Sequence, residues 1–381
     1  MPIFAMAAIV MASIAAMPGN VLPVLAGLLS EFHSLDEVTL GFLIASGTLA
    51  GLVAAVTAPH WIGRVNLRVA VGTALLVNAV GLLGLRFAPG IVVLFVAQAL
   101  AGAANVVVAS VCVTLIAKLP NPTRAYGIKI TTDVVFAGAF LAFMPTQFLG
   151  LGGFVVVLAG IVAGAAPLIA KLPLRALIEY RADGTQMRLR DASWSAWFTL
   201  LTIVVFYVGG IGVWAFLERL AVHAGLTRDV ASNAIAAGLF VGVIGSLGAA
   251  MFAGRTVRIW PETASGIVLV ASFAMLSDID GPVQFYVAVF LMNCSWNFFI
   301  PFVIGLVARR DGSGRMVSLV PGTVMIGGIV GPVLAGALIH SSGYLVAMIV
   351  MTTIVAVSIA GYVVIARGVA APRLGPPPKN G

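Results

Sequence analysis

Apolar runs of about 20 residues follow one another along nearly the whole chain, each closed by a short cluster of charge, Pro or Gly. A helix of about that length crosses a ~30 Å hydrocarbon layer. The two-residue alternation of a transmembrane barrel is absent. The runs predict twelve helices, near 3–29, 39–59, 69–87, 91–117, 128–148, 153–173, 194–217, 233–253, 263–277, 282–308, 317–340 and 344–366. The longest polar stretch, Leu174 to Ala192, divides them six and six. The expected organisation is therefore a six-helix bundle over 1–173, a linker loop over 174–192, a second six-helix bundle over 193–366 and a Pro-rich tail over 367–381. The fold class is an all-α polytopic membrane protein.

Composition agrees with that pattern. The chain is 61% apolar and 9% charged, against about 25% charged for a soluble domain. Its net charge of +8 is spread over short loops, which points to insertion topology and not to nucleic acid. With the N-terminus placed in the cytoplasm, eighteen Lys and Arg fall on inside loops, flanks and the tail, and only Arg86, Arg219 and Arg228 fall outside. By the positive-inside rule both termini are cytoplasmic. The first run has no basic residue ahead of it and reads as a retained helix, not a cleaved signal. A bacterial inner membrane is the expected location, and a monomer in the lipid bilayer the expected state.

Cys112 and Cys294 lie in separate apolar runs, and His33, His60, His223 and His340 lie far apart near predicted helix ends. That is neither a disulfide framework nor a metal-ligand pattern. No phosphate-binding loop, catalytic triad spacing or nucleophile elbow is present, so neither an enzyme nor a cofactor is expected.

A shift of 191 residues lays one half on the other. Gly47 falls on Gly238, Gly51 on Gly242, Arg64 on Arg255, Arg124 on Arg315 and Gly152 on Gly343. Small residues four apart give each second helix a flat face for close packing. Six plus six helices, parallel repeats and a central inside loop resemble the major facilitator superfamily over the whole chain. The resemblance implies two bundles that rock around a central site, lined by the first, fourth, seventh and tenth helices. The superfamily's loop pattern after the second helix is matched in "PHWIGRVNLR" by Arg64 and Arg68, with Gly63 in place of the acid and Asn66 in place of the second Gly. The fourth-helix R-x-x-x-G spacing appears as "QALAG", with Gln98 in place of the arginine. A glycine-proline pattern like the antiporter signature, "GGIVGPVLAG", stands on the eleventh helix instead of the fifth. The resemblance implies gating or conformational roles for Arg64, Arg68, Arg255, Gly331 and Pro332.

Polar residues gather on narrow arcs, since positions i, i+3, i+4 and i+7 share a helix face. On the tenth helix these are Asn293, Trp296 and Asn297, with Phe298 and Phe302 opposite. On the seventh they are Tyr207, Trp214 and Glu218, and on the fourth Gln98 and Asn105. On the first, Asn20 follows Pro18 and Gly19, a weak point for a helix. An unpaired amide in hydrocarbon is costly, so these faces should turn to protein or water. Asn20, Gln98, Asn105, Tyr207, Trp214, Asn293, Trp296 and Asn297 are the candidate substrate-binding residues, with interhelical hydrogen bonding the competing role for the asparagines. Asp133 and Glu218 are the candidate proton-coupling acids. The alternative for each is a structural ion pair, Asp133 with Lys129 and Glu218 with Arg219.

No Lys or Arg falls in the middle of a predicted span, which disfavours anionic substrates. The expected function is secondary transport of a small, neutral or cationic, partly apolar organic solute by alternating access. Protons are the expected coupling ion, and the glycine-proline pattern favours efflux. An uptake permease for aromatic or sugar-like nutrients is one alternative. A non-transporting receptor or scaffold on a transporter fold is another.

Overall fold

The computed structural model describes residues 2–119, 122–144, 146–175, 194–252, 259–310 and 319–367. Helices account for nearly all of these residues. Within hydrocarbon every backbone N–H and C=O has to be satisfied inside the segment, which an α-helix does. The first span is two helices, α1 (Ile3–Asn20) and α2 (Leu22–His33), broken at Val21 (φ −100°, ψ 10°). Pro18 removes one donor and crowds the preceding turn, so the break falls at the Pro-Gly-Asn weak point. The second to fifth spans are α3 (Glu37–Trp61), α4 (Leu67–Phe87), α5 (Ile91–Ile116) and α6 (Pro122–Phe143). The sixth is α7 (Thr146–Gly164), which turns at Gly150 (φ 53°) and runs on into a 3₁₀ turn, Ala166–Lys171. The second half holds α8 (Trp194–His223), α9 (Arg228–Phe252), α10 (Trp260–Met275), α11 (Pro282–Arg310) and α12 (Val320–Arg367).

Ten of the described helices are long and apolar enough to cross a membrane. The last, α12, carries two spans, because its backbone reverses at Gly343 (φ 83°, ψ 171°), a left-handed conformation that a side chain disfavours. The short α10 supplies the remaining span, so the twelve predicted spans are present and the chain is a multi-pass membrane protein. Polar caps mark the loop ends. Asp36 accepts from the Thr39 N–H at 2.8 Å, and Asn66 accepts from the Arg68 N–H at 3.0 Å. The Asp36 carboxyl is held below its ordinary range by those bonds from Thr39.

Two boundaries differ from expectation. The fifth span starts at Pro122, not near 128, because a proline is well placed in a first helical turn where its missing N–H costs nothing. Lys129 therefore lies about two turns inside the span, where the expected boundary put it at the very start. The ninth span starts at Trp260, not 263, which brings Glu262 into its first turn, where the helix dipole favours an acid.

The repeat is carried into packing. A Cβ added at Gly47 would come 2.8 Å from Gln98, and one at Gly51 would come 2.8 Å from Val106. In the second half, a Cβ at Gly238 would come 2.7 Å from Val289, and one at Gly242 would come 2.7 Å from Asn297. Each second-half contact is its first-half counterpart displaced by 191 residues. The α3–α5 and α9–α11 seams are thus the same structure built twice. The halves meet through α2 with α8, α3 with α12 and α6 with α9.

Candidate functional site

The two halves are tied together at the end of the bundle that carries the acidic loops. Glu37, at the start of α3, pairs with Arg219 of α8. Tyr344 of α12 accepts from Arg219 at 3.3 Å and donates to Glu37 at 3.5 Å. Arg228, at the start of α9, pairs with Glu31 at the end of α2 and, at 2.7 Å, with Glu218 of α8. The partner of Glu218 is therefore Arg228 and not its neighbour Arg219, whose side chain points to the other half. Glu218 is 1% exposed. Its carboxylate fills the space over Gly27 of α2, where a Cβ would lie 1.8 Å from Oε2. One turn deeper, the Trp214 indole N–H donates to the Gly19 carbonyl of α1 at 3.1 Å, closing the halves beside Asn20. These hydrogen bonds and ion pairs join the two halves at the acid-rich end and about a turn deeper.

Below that closure lies an aromatic group in the second half. Trp296 of α11 stands 4.6 Å from Phe206 and 5.5 Å, edge on, from Tyr207. Its ring occupies the space a side chain at Gly210 would need, 2.0 Å from the missing Cβ. Tyr207 in turn lies on Gly327 of α12, and its hydroxyl makes no hydrogen bond among the described residues.

The polar arc expected on the tenth helix divides between two neighbours. Trp296 faces α8, whereas Asn293 and Asn297 face the glycine seam of α9, at Gly238 and Gly242. Their amides donate to their own helix, Asn293 to Val289 O at 3.0 Å and Asn297 to Asn293 O at 2.9 Å. Bonding four residues back satisfies a donor without a ligand. Asn105 likewise accepts from Asn78 of α4 at 2.8 Å, inside the first bundle. Gln98 fills the α3–α5 seam over Gly47. The structure therefore brings Tyr207 and Trp296 together, and Trp214 with Asn20 above them, and leaves the other amides in helix seams.

Asp133 forms a 2.6 Å ion pair with Lys129, one turn back on α6. It is 7% exposed, and its Oδ1 has no hydrogen-bond partner. Ser13 of α1 donates to the Lys129 carbonyl at 3.4 Å.

Three solved structures resemble the chain over nearly their whole lengths. A mutant form of the nucleoside transporter NupG matches with a TM-score of 0.73 at 12% identity, covering 95% of this chain and 99% of that one. A bacterial homologue of the human lysosomal transporter Spinster, inward-facing and occupied, gives 0.70 at 13%, covering 95% and 96%. A D-xylose-proton symporter gives 0.72 at 10%, covering 94% and 95%. The chain has the major facilitator fold. No family model and no curated protein matches its sequence.

The loop residues expected to gate a major facilitator fold take separate places. Arg68 donates to the Leu172 carbonyl at 2.8 Å, so it ties the end of the sixth span to the third within one half. Arg64 is exposed and makes no ion pair among the described residues. Arg255 lies outside the described residues. The eleventh-span pattern is at the junction of the halves. Gly331 lies against Val208 and Gly212 of α8, and the Pro332 carbonyl lies against Gly41 of α3.

Sequence reasoning missed Asn78, Gly27 and the Glu262–Tyr362 contact of 3.2 Å. Asn78 sits mid-span in the third helix and could have been found as an isolated amide. Gly27 carries no signal in a chain with 43 glycines.

Proposed function

We propose that the chain is a secondary transporter working by alternating access. The observation that carries this is the join between the halves. At one end it consists of ion pairs and hydrogen bonds laid over small residues, contacts that can form and break as units. With the basic loops in the cytoplasm, the acid-rich end is the outer gate, and its closure fits an inward-facing conformer. The named neighbours include a nucleoside transporter, a sugar-proton symporter and an inward-facing transporter, which fits this reading.

The substrate we propose is a small, neutral or cationic, partly apolar organic solute. Half-buried Trp296 offers ring surface, and the buried Tyr207 beside it has a hydroxyl without a hydrogen bond among the described residues, the mix of apolar surface and few polar groups typical of such sites. Lys129 is inside a span, but Asp133 neutralises it at 2.6 Å, so it offers no free charge to an anion. Coupling to protons, through Asp133 or Glu218, belongs to the same proposal, as does efflux, which the glycine-proline pattern at the junction favours. The location we propose is a bacterial inner membrane. Flux in proteoliposomes with and without an imposed pH gradient tests the coupling. Transport that accelerates with the gradient supports it, and transport indifferent to the gradient removes it.

A further inference from the structure

We propose that the basic-loop ends of the third and sixth spans form a binding site for an anionic phospholipid. The site takes one phosphodiester headgroup, with its acyl chains laid along the exposed face of α4. It rests on the membrane-spanning fold and not on the transport reading or the solute.

Two hydrogen bonds build it. The Leu67 N–H, at the start of α4, donates to the Leu174 carbonyl at 2.9 Å, and Arg68 Nε donates to the Leu172 carbonyl at 2.8 Å. They fasten the segment after the 3₁₀ turn onto the first turn of α4. Lys171 and Arg175, which flank that segment, are thereby held beside Arg68, and Arg64 stands in the loop just before α4. Arg64, Lys171 and Arg175 are exposed. Arg68 spends its Nε donor on Leu172, which leaves the rest of its guanidinium fork to a ligand.

These cations stand apart from every acid of their half. None of the four forms an ion pair among the described residues. Residues 1–175 hold four carboxylates. Glu31, Asp36 and Glu37 are at the opposite end of the bundle, and Asp133 is committed to Lys129 about three turns inside α6. The linker after Arg175 lies outside the described residues, and its sequence over 176–193 carries three acids and three arginines, so it brings no net charge. Insertion topology explains why cations stay on these loops. It does not require them to be fastened side by side away from any acid. Gathered like charges repel, and an anion seated among them relieves that repulsion.

Next to the cations α4 presents an apolar stripe. Val69, Thr73, Leu76, Val77 and Val80 recur at helical spacing and are all exposed. The one polar member, Thr73, turns its hydroxyl back to the Val69 carbonyl at 2.9 Å. Leu174, held by its carbonyl, is also exposed. In a bilayer such a stripe lies against acyl chains, so a headgroup at its end meets Arg68 and its neighbours. A free anion would use the cations alone, whereas a phospholipid uses cations and stripe together. With the basic loops in the cytoplasm, as proposed above, the lipid belongs to the inner leaflet, whose anionic lipids attract each nearby Lys or Arg by about fivefold in affinity.

The test melts the full chain, purified in detergent, with added phosphatidylglycerol, with phosphatidylcholine as the zwitterionic control, and with inorganic phosphate as the free anion. Phosphatidylglycerol should raise the melting temperature, and the other two should not. The double variant Lys171→Gln, Arg175→Gln should melt unchanged without lipid and need roughly 25-fold more phosphatidylglycerol for half the shift. The charge-keeping variant Lys171→Arg, Arg175→Lys should respond as the wild type does. Arg367→Gln removes a cation at the end of α12 in the other half and should also keep the wild-type response. An equal shift with phosphatidylcholine overturns the proposal, as does an unaltered response in the double Gln variant. An equal loss in Arg367→Gln marks diffuse surface charge and overturns it too. A shift with inorganic phosphate as large as with the lipid marks a free-anion site and overturns the lipid. A response that emerges only after Glu179→Gln, Asp183→Asn and Asp191→Asn marks the linker as the occupant and overturns the lipid as well.

Discussion

The carboxylate of Glu218 rests on the backbone of Gly27: a Cβ built there would lie 1.8 Å from Oε2. The two residues are on opposite halves, so this contact measures how closely the halves meet. Gly27→Ala should hold the acid-rich end apart. Overpacking of this kind costs about 1–3 kcal/mol, enough to shift the closed-to-open ratio roughly five- to 150-fold. Labelling of a cysteine placed at Gly19 by a membrane-impermeant thiol reagent from the outer face should rise accordingly, with folding unchanged by thermal melt.

Trp214 offers a milder change at the same junction. Trp214→Phe keeps a ring and removes the donor to the Gly19 carbonyl. A single neutral hydrogen bond contributes about 1 kcal/mol, so the same labelling should rise about fivefold. Trp214→Phe and Gly27→Ala act on one opening, so their combined effect should fall short of the sum.

The glycine seams make a prediction with two signs. Gly102→Ala would drive a Cβ to 2.1 Å from the Gly47 carbonyl oxygen, backbone against backbone. It should lower the melting temperature by the equivalent of about 1–3 kcal/mol. Gly160→Ala, mid-helix with nothing within 4 Å, should be neutral or stabilising by up to about 1 kcal/mol.

Lys129 and Asp133 separate structure from coupling. Asp133→Leu alone leaves a cation unpaired inside the span and should cost about 3–5 kcal/mol. The double variant Lys129→Met, Asp133→Leu should recover most of that stability in a thermal-unfolding assay. If flux also recovers its pH-gradient dependence in the double variant, the pair is structural. If stability returns while gradient dependence stays lost, Asp133 carries the coupling proton.

The fold was legible because its signals are long and repeated. Twelve apolar runs, a six-and-six division and a 191-residue offset are properties of whole segments, and the Gly47–Gln98 and Gly238–Val289 contacts follow from them. The site was legible only in part. A helical arc places Asn293, Trp296 and Asn297 together, but an arc of that width spans two neighbours when helices cross, and the asparagines went to the glycine seam. Glu218 was visible as an acid in a span, yet its partner was not. The nearest cation in sequence, Arg219, reaches across to Glu37, and the cation it meets comes from the next helix. Pairings between helices depend on crossing geometry, which periodicity does not encode.

The proposed function is movement of a solute between two faces by exposing one site to each in turn. Counterflow tests it most directly. A solute that raises the melting temperature of the purified protein is loaded unlabelled into proteoliposomes, and uptake of the labelled solute from outside is followed. Transient accumulation above equilibrium is expected, weakened by Trp296→Ala. A folded protein that binds the solute yet shows no counterflow would contradict alternating access and favour a receptor or scaffold.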